Sequence, residues 1–199
     1  MNAWQSVLDW WFGSAGSAAE VAAARGALWF GKQDSQDREA RERFAGLVEQ
    51  ALAGRLEDWN QQPEGWLARV LLLDQLPRMI FRDTPRAFAG DSRAQALVRE
   101  GMTQGWDAGL TPIQRVFIYL VLEHTEDLAA QDRAVACFSA LRDAAPESEH
   151  RLFDDYLDYA ERHRQVIARF ARFPHRNAIL GRSSSATELS FLQEPGSRF

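Results

Sequence analysis

The residues able to do chemistry concentrate in one stretch and on three helical stripes elsewhere. Ile167 to Arg182 holds four arginines, a histidine and an asparagine between apolar anchors, with no acid, and is broken at Pro174. Asp74 lies four residues after Val70 and three after Leu71, so it points with the apolar face of its helix, and Arg78 follows one turn on. Glu123 and His124 lie three and four residues after Leu120, and His163 falls four after Tyr159 and four before Ile167. Each helix thus turns an ionisable side chain inward. An unpaired buried charge costs several kcal/mol, a large part of a domain's net stability, so these groups need partners. Arginine is the natural supplier, because its guanidinium grips a carboxylate with two hydrogen bonds and stays charged when desolvated.

Two readings of these residues compete. In the structural one, Asp74, Glu123, Glu126 and Asp127 neutralise Arg78, Arg82, Arg169, Arg172 and Arg176, and residues 174–182 form a plug held by ion pairs. In the functional one, Arg172, His175 and Arg176 bind an anionic group beside Asp74, Arg78 and Asn177. Glu123, His124 or His163 then act as acid or base, since burial and nearby charge move carboxylate and imidazole pKa values toward neutrality. The expected ligand is a small anionic molecule. Whether the chain is an enzyme stays open. Glu123, His124 and Asp127 at i, i+1 and i+4 form no recognised metal motif, so neither a metal nor a cofactor is expected. No nucleophile elbow or glycine-rich phosphate loop occurs.

Composition narrows the class. The chain has 199 residues, a hydrophobic fraction of 46 % and seven tryptophans, enough for a substantial core. Its net charge of −5 argues against general nucleic-acid binding. Residues 162–182 nevertheless carry six arginines and no acid, and Lys32 is the only lysine. Cys137 is alone among Val135, Phe138 and Leu141, which suits a buried, inert thiol. The longest apolar run, Val116 to Leu122, is far short of the roughly twenty residues of a membrane helix. A soluble cytoplasmic protein without membrane attachment is the expectation.

The elements that must position these residues are helices. Trp4, Val7, Leu8, Trp11 and Phe12 mark one ending at Gly13, and an alanine-rich segment over 18–25 suggests a short second. Further helices are expected over 34–53, from Pro63 to a break at Pro77, and over 91–103. Thr111-Pro112-Ile113-Gln114 reads as a capping box with proline at the first helical position. A helix follows it, then another to about Asp143, and a long one from about Glu147 to Pro174. Ser185 to Glu188 is a second capping box, opening a short last helix over 186–193. No window alternates with period two. The expectation is a single all-α domain over 1–199, an antiparallel array of seven to nine helices, with 174–199 a C-terminal loop and short helix packing back on it.

Several blocks carry a family likeness. Trp11-Phe12-Gly13, Trp29-Phe30, Asp74-Gln75-Leu76-Pro77-Arg78 with Phe81-Arg82, Glu123-His124-Thr125-Glu126-Asp127-Leu128 and Phe173-Pro174-His175-Arg176-Asn177 with Leu180-Gly181-Arg182 resemble the bacterial "domain of unknown function 924" family over nearly the whole chain. The resemblance implies an all-helical fold similar to tetratricopeptide-type arrays. It implies no activity and transfers no catalytic residue. Met79 and Ala171 depart from its pattern, standing where Asn and Gly are usual. Its architecture keeps an alternative open: a tetratricopeptide-like module whose concave face grips a peptide or partner protein, with exposed aromatics such as Trp106 lining the groove and the charged cluster purely structural.

Overall fold

The computed structural model describes residues 2–197. Its elements are α1 (Ala3–Phe12), α2 (Ala18–Phe30), α3 (Asp34–Leu52), α4 (Pro63–Leu73), α5 (Gln75–Ile80), α6 (Asp91–Thr103), α7 (Pro112–Glu123), α8 (Leu128–Ala144), α9 (His150–Phe170) and α10 (Ala186–Phe191). Short 3₁₀ turns occur between them, and no strand occurs among the described residues. The fold is all-α. No helix among these residues is long and apolar enough to cross a membrane.

α4 is the axis of the molecule. Every residue from Gly65 to Leu73 is buried, because α1, α3, α6 and α7 pack around it. Apart from Arg69 that span is apolar on all sides, which leaves no face for water. Trp66 is fully buried and donates its indole N–H to the Leu97 carbonyl of α6 at 3.0 Å. α6 can approach that closely because Gly101 faces the indole, where a Cβ would come within 2.3 Å of the ring. The aromatic cluster of Trp10, Trp11, Phe12, Trp29 and Phe117 closes the side facing α1 and α2. α7, α8 and α9 follow as successive neighbours, with α8 and α9 packed along their lengths. A smaller cluster of Val166, Ile167, Phe173 and Phe191 holds residues 173–191 against the end of α9.

Three boundaries differ from the sequence reading. α2 continues to Phe30, because Gly26 sits on its outer face and Leu28 and Trp29 are buried beyond it. The rod of α4 and α5 breaks at Asp74 rather than Pro77. A proline disturbs the turn before it, where its missing N–H leaves the carbonyl four residues back without a bond, here that of Leu73. α9 stops at Ala171, not Pro174: Ala171 adopts the left-handed conformation (φ 56°) and its N–H closes on the Ile167 carbonyl at 2.8 Å. Both capping boxes form as read, at Thr111/Gln114 and Ser185/Glu188.

Candidate functional site

The break at Asp74 creates the centre of a polar cluster. The Leu73 carbonyl, four residues before Pro77, is approached by Gly90, where a Cβ would come within 2.1 Å of the oxygen. Only glycine allows that approach, and it brings Asp91, the first residue of α6, against the start of α5. Arg78 then bridges the two helices. Its guanidinium donates to both carboxylate oxygens of Asp91 (2.9 and 3.1 Å), to the Asp74 carbonyl (2.6 Å), and lies 3.1 Å from the Asp74 carboxylate. Asp74 is 1 % exposed and also accepts from the Gln75 amide at 2.6 Å.

α7 supplies the next pair from its last turn. His124 Nδ1 contacts both Asp74 oxygens, at 2.9 and 3.0 Å. Burial alone would raise the Asp74 pKa, but Arg78, His124 and Gln75 outweigh it and hold the group well below the usual carboxylate range. Asp74 is therefore ionised and acceptor-only, so Nδ1 of His124 must carry the proton between them and Nε2 keeps its lone pair. Burial, reinforced by Arg78 and Arg176, lowers the His124 pKa and keeps the imidazole neutral. This end of α7 is pinned by the fully buried Gln131, whose amide donates to the carbonyls of Glu123 (2.6 Å) and Thr125 (2.8 Å).

Glu123 has the opposite environment. It is 2 % exposed, and burial beside the Asp74 charge raises its pKa to about 8. Its Oε1 lies 3.0 Å from Nδ1 of His163, which also donates to the Tyr159 carbonyl at 2.8 Å. Burial lowers the His163 pKa to about 3. The distance suits an ion pair, but both shifts favour the uncharged forms, and in so dry a place desolvation decides. Glu123 and His163 therefore meet as a neutral acid and a neutral imidazole.

Residues 173–182 close the cluster. Arg176 is 6 % exposed, and its Cζ lies over the rings of Phe88 (4.9 Å) and Phe173 (4.6 Å). Its nearest carboxylate is Asp91, at 3.5 Å from Nη1, and its buried Nε has no hydrogen-bond partner. Desolvation and the neighbouring Arg78 lower its pKa to about 10. Burial and Arg176 push His175 down to about 3. The segment is held by Glu126, which accepts the Phe173 N–H and pairs bidentately with Arg182.

The sequence candidates therefore separate. Asp74, Arg78, Glu123, His124, His163, His175 and Arg176 come together from α4–α5, α7, α9 and the turn after Pro174. Arg172 instead pairs with Glu188 through two hydrogen bonds (2.6 and 2.8 Å), and Asn177 donates to Ser184. Asp127 caps α8 through the Ala130 N–H. Arg82 pairs with Asp37. Asp91, Phe88 and Gln131 were not singled out from sequence. Asp91 looks like an ordinary first-turn acid, and Phe88 lies in a 3₁₀ turn with no stripe to mark it. Among the described residues no group of three or more His, Cys, Asp or Glu side chains is placed to hold a metal ion.

Two surface clefts lie away from this cluster. One of about 460 Å³ sits at the α1–α2 loop beside Arg25, and one of about 240 Å³ lies between Tyr119 and Cys137. Neither is lined by an imidazole. Burial raises the pKa of the half-buried Cys137 thiol, the reverse of what a nucleophile needs. Size favours the clefts and chemistry favours the cluster; acid–base work depends on convergent groups of shifted pKa, so the cluster is the stronger candidate.

The family described as "Bacterial protein of unknown function (DUF924)" matches residues 7–196. The chain belongs to this family. A solved structure of a protein of unknown function from Agrobacterium tumefaciens is similar to it, with 34 % identity, 96 % of each chain covered and a TM-score of 0.80. No curated protein matches the chain.

Proposed function

We propose that the cluster binds a small anionic molecule, with Arg176 holding the anionic group and the Asp74–His124 pair moving a proton. The observation that carries this reading is the state of Arg176. A guanidinium this buried ordinarily satisfies its N–H groups, yet Nε has no partner and the nearest carboxylate stands at the limit of a hydrogen bond. Arg78, by contrast, is bonded bidentately. Arg176 thus has hydrogen-bonding capacity to spare, close to the imidazoles of His163 and His175.

The acid–base roles follow from protonation states. Asp74 orients His124 through Nδ1, leaving Nε2 as a base, and its negative charge stabilises the imidazolium formed when Nε2 takes a proton. Glu123, protonated at neutral pH, is a donor one residue away. Two carboxylates with pKa values pushed apart are the usual signature of divided acid and base work. Arg78, Asp91 and His124 are the partly exposed members, with side chains 19 %, 15 % and 17 % exposed, and form the side by which a ligand enters. The interaction-module alternative has less behind it. Trp106 packs edge-on against Trp66 (5.8 Å) instead of lining an open groove.

Thermal-shift titration tests the reading with small carboxylates and phosphates on the wild type, Arg176→Ala and His124→Gln. An anion that raises the wild-type midpoint, leaves Arg176→Ala unmoved and still stabilises His124→Gln supports it. If no anion moves the wild type, the reading fails.

A further inference from the structure

We propose that the anion is a monocarboxylate and that the site discriminates against phosphate. This rests on the anion-binding reading above and narrows it. The first ground is charge. The guanidinium groups in and around the cluster are Arg78, Arg176 and Arg182, and each already faces a carboxylate, from Asp74 and Asp91, Asp91, and Glu126 respectively, while Lys32 acts on His175 from its edge. The remaining ionisable groups facing Arg176 are the imidazoles of His124, His163 and His175, with Glu123 behind them. The three guanidinium groups balance Asp74, Asp91 and Glu126 one for one. One added negative charge can be met by hydrogen bonds from Arg176, because Asp91 is held bidentately by Arg78 and leaves the Nε edge of Arg176 unbonded. A second would lie beside Asp74 and Asp91 in a dry site with nothing to offset it, a costly arrangement.

The second ground is shape. Phe88 and Phe173 lie against the Arg176 guanidinium, so its polar approach is along the N–H edges. Nη1 faces Asp91, and the edge carrying Nε is unbonded. A guanidinium edge meets a planar carboxylate with two parallel hydrogen bonds. A phosphate on that edge turns its further oxygens toward phenyl carbons, where they lose water and gain no donor. The same rings favour a ligand with an apolar body.

The test is isothermal titration of the full chain at constant ionic strength with propanoate, phenylacetate and inorganic phosphate, on the wild type, Arg176→Lys and Asp91→Asn. Arg176→Lys keeps the charge and removes the planar edge, so carboxylate affinity should fall by about tenfold or more. Asp91→Asn removes the competing acid, so carboxylates should bind more tightly, which keeps the test decisive if Arg176→Lys does not fold. Wild-type preference for carboxylate over phosphate by about tenfold or more, with both variant effects, supports the proposal. Phosphate binding as well as or better than carboxylate, weakened by Arg176→Lys, overturns the monocarboxylate assignment and leaves the anion site standing. Carboxylate binding indifferent to both variants overturns the placement at Arg176. Absence of binding by every anion overturns both this inference and the reading it rests on.

Discussion

Replacing Glu123 with glutamine should change how stability depends on pH, in a window set by the buried groups. Glu123 has a folded pKa of about 8 against an ordinary 4.5. Between these values the folded chain keeps a proton that the unfolded chain has lost, so this group's contribution is complete below pH 4.5 and declines as pH rises to about 8. His163 and His175 act oppositely. Their folded values of about 3 lie below the ordinary 6.5, so their contribution is complete above pH 6.5 and is lost as pH falls toward 3. Asp74, held below its ordinary 3.8, adds to the loss at still lower pH. Stability should therefore peak near pH 6.5. Between there and pH 8 Glu123 alone among these groups titrates, at about 1.4 kcal/mol per pH unit, or roughly 2 kcal/mol over the interval. Glu123→Gln keeps the size and polarity and removes the titration. Urea unfolding at half-unit steps from pH 6.5 to 8 should show the wild type declining while the variant stays level. Parallel curves for the two proteins would refute the claim that Glu123 is buried as a neutral acid.

Other consequences are local. Ala171→Gly should stabilise the protein by about 1 kcal/mol, because a left-handed φ of 56° strains any residue with a Cβ; equilibrium denaturation reads this directly. Gly90→Ala should cost about 1–3 kcal/mol in the same assay, since its new methyl group would meet the Leu73 carbonyl oxygen and push Asp91 from Arg78. Gln131→Leu should cost about 1–3 kcal/mol by leaving the Glu123 carbonyl buried and unbonded, and should broaden the His124 signals in NMR spectra. Glu126→Gln should raise hydrogen exchange over residues 173–182 while α4 and α7 stay protected, because Glu126 ties that segment down through Arg182 and the Phe173 N–H.

How much of this was legible from sequence depends on how far helical periodicity reaches. Asp74, Glu123, His124 and His163 could be placed inward because each shares a stripe with apolar residues, and the turn of a helix is fixed. The expected helices and both capping boxes follow from equally local chemistry. Arg172 shows where such reasoning stops. It is one helical turn from Arg176 in sequence, yet the left-handed Ala171 and the turn at Pro174 send the two side chains apart, one to Glu188 and the other to Asp91. Asp91 reaches the cluster only because Gly90 lets two backbones nearly touch, a long-range fact with no periodic trace. Phe88 lies in a 3₁₀ turn too short to show a face. The break at Asp74 was displaced to Pro77 for a related reason, since proline marks a disruption whose place depends on which carbonyl it strands.

The most direct measurement of the central claim is the Arg176 Nε–H resonance, followed by proton–nitrogen correlation NMR during titration with phenylacetate. This N–H is unbonded in the free protein, whereas that of Arg172 already donates to Glu188 at 2.6 Å. The Arg176 proton should move downfield and saturate while the Arg172 proton stays in place. An Arg176 signal unmoved at concentrations that shift other resonances would show that the ligand binds elsewhere.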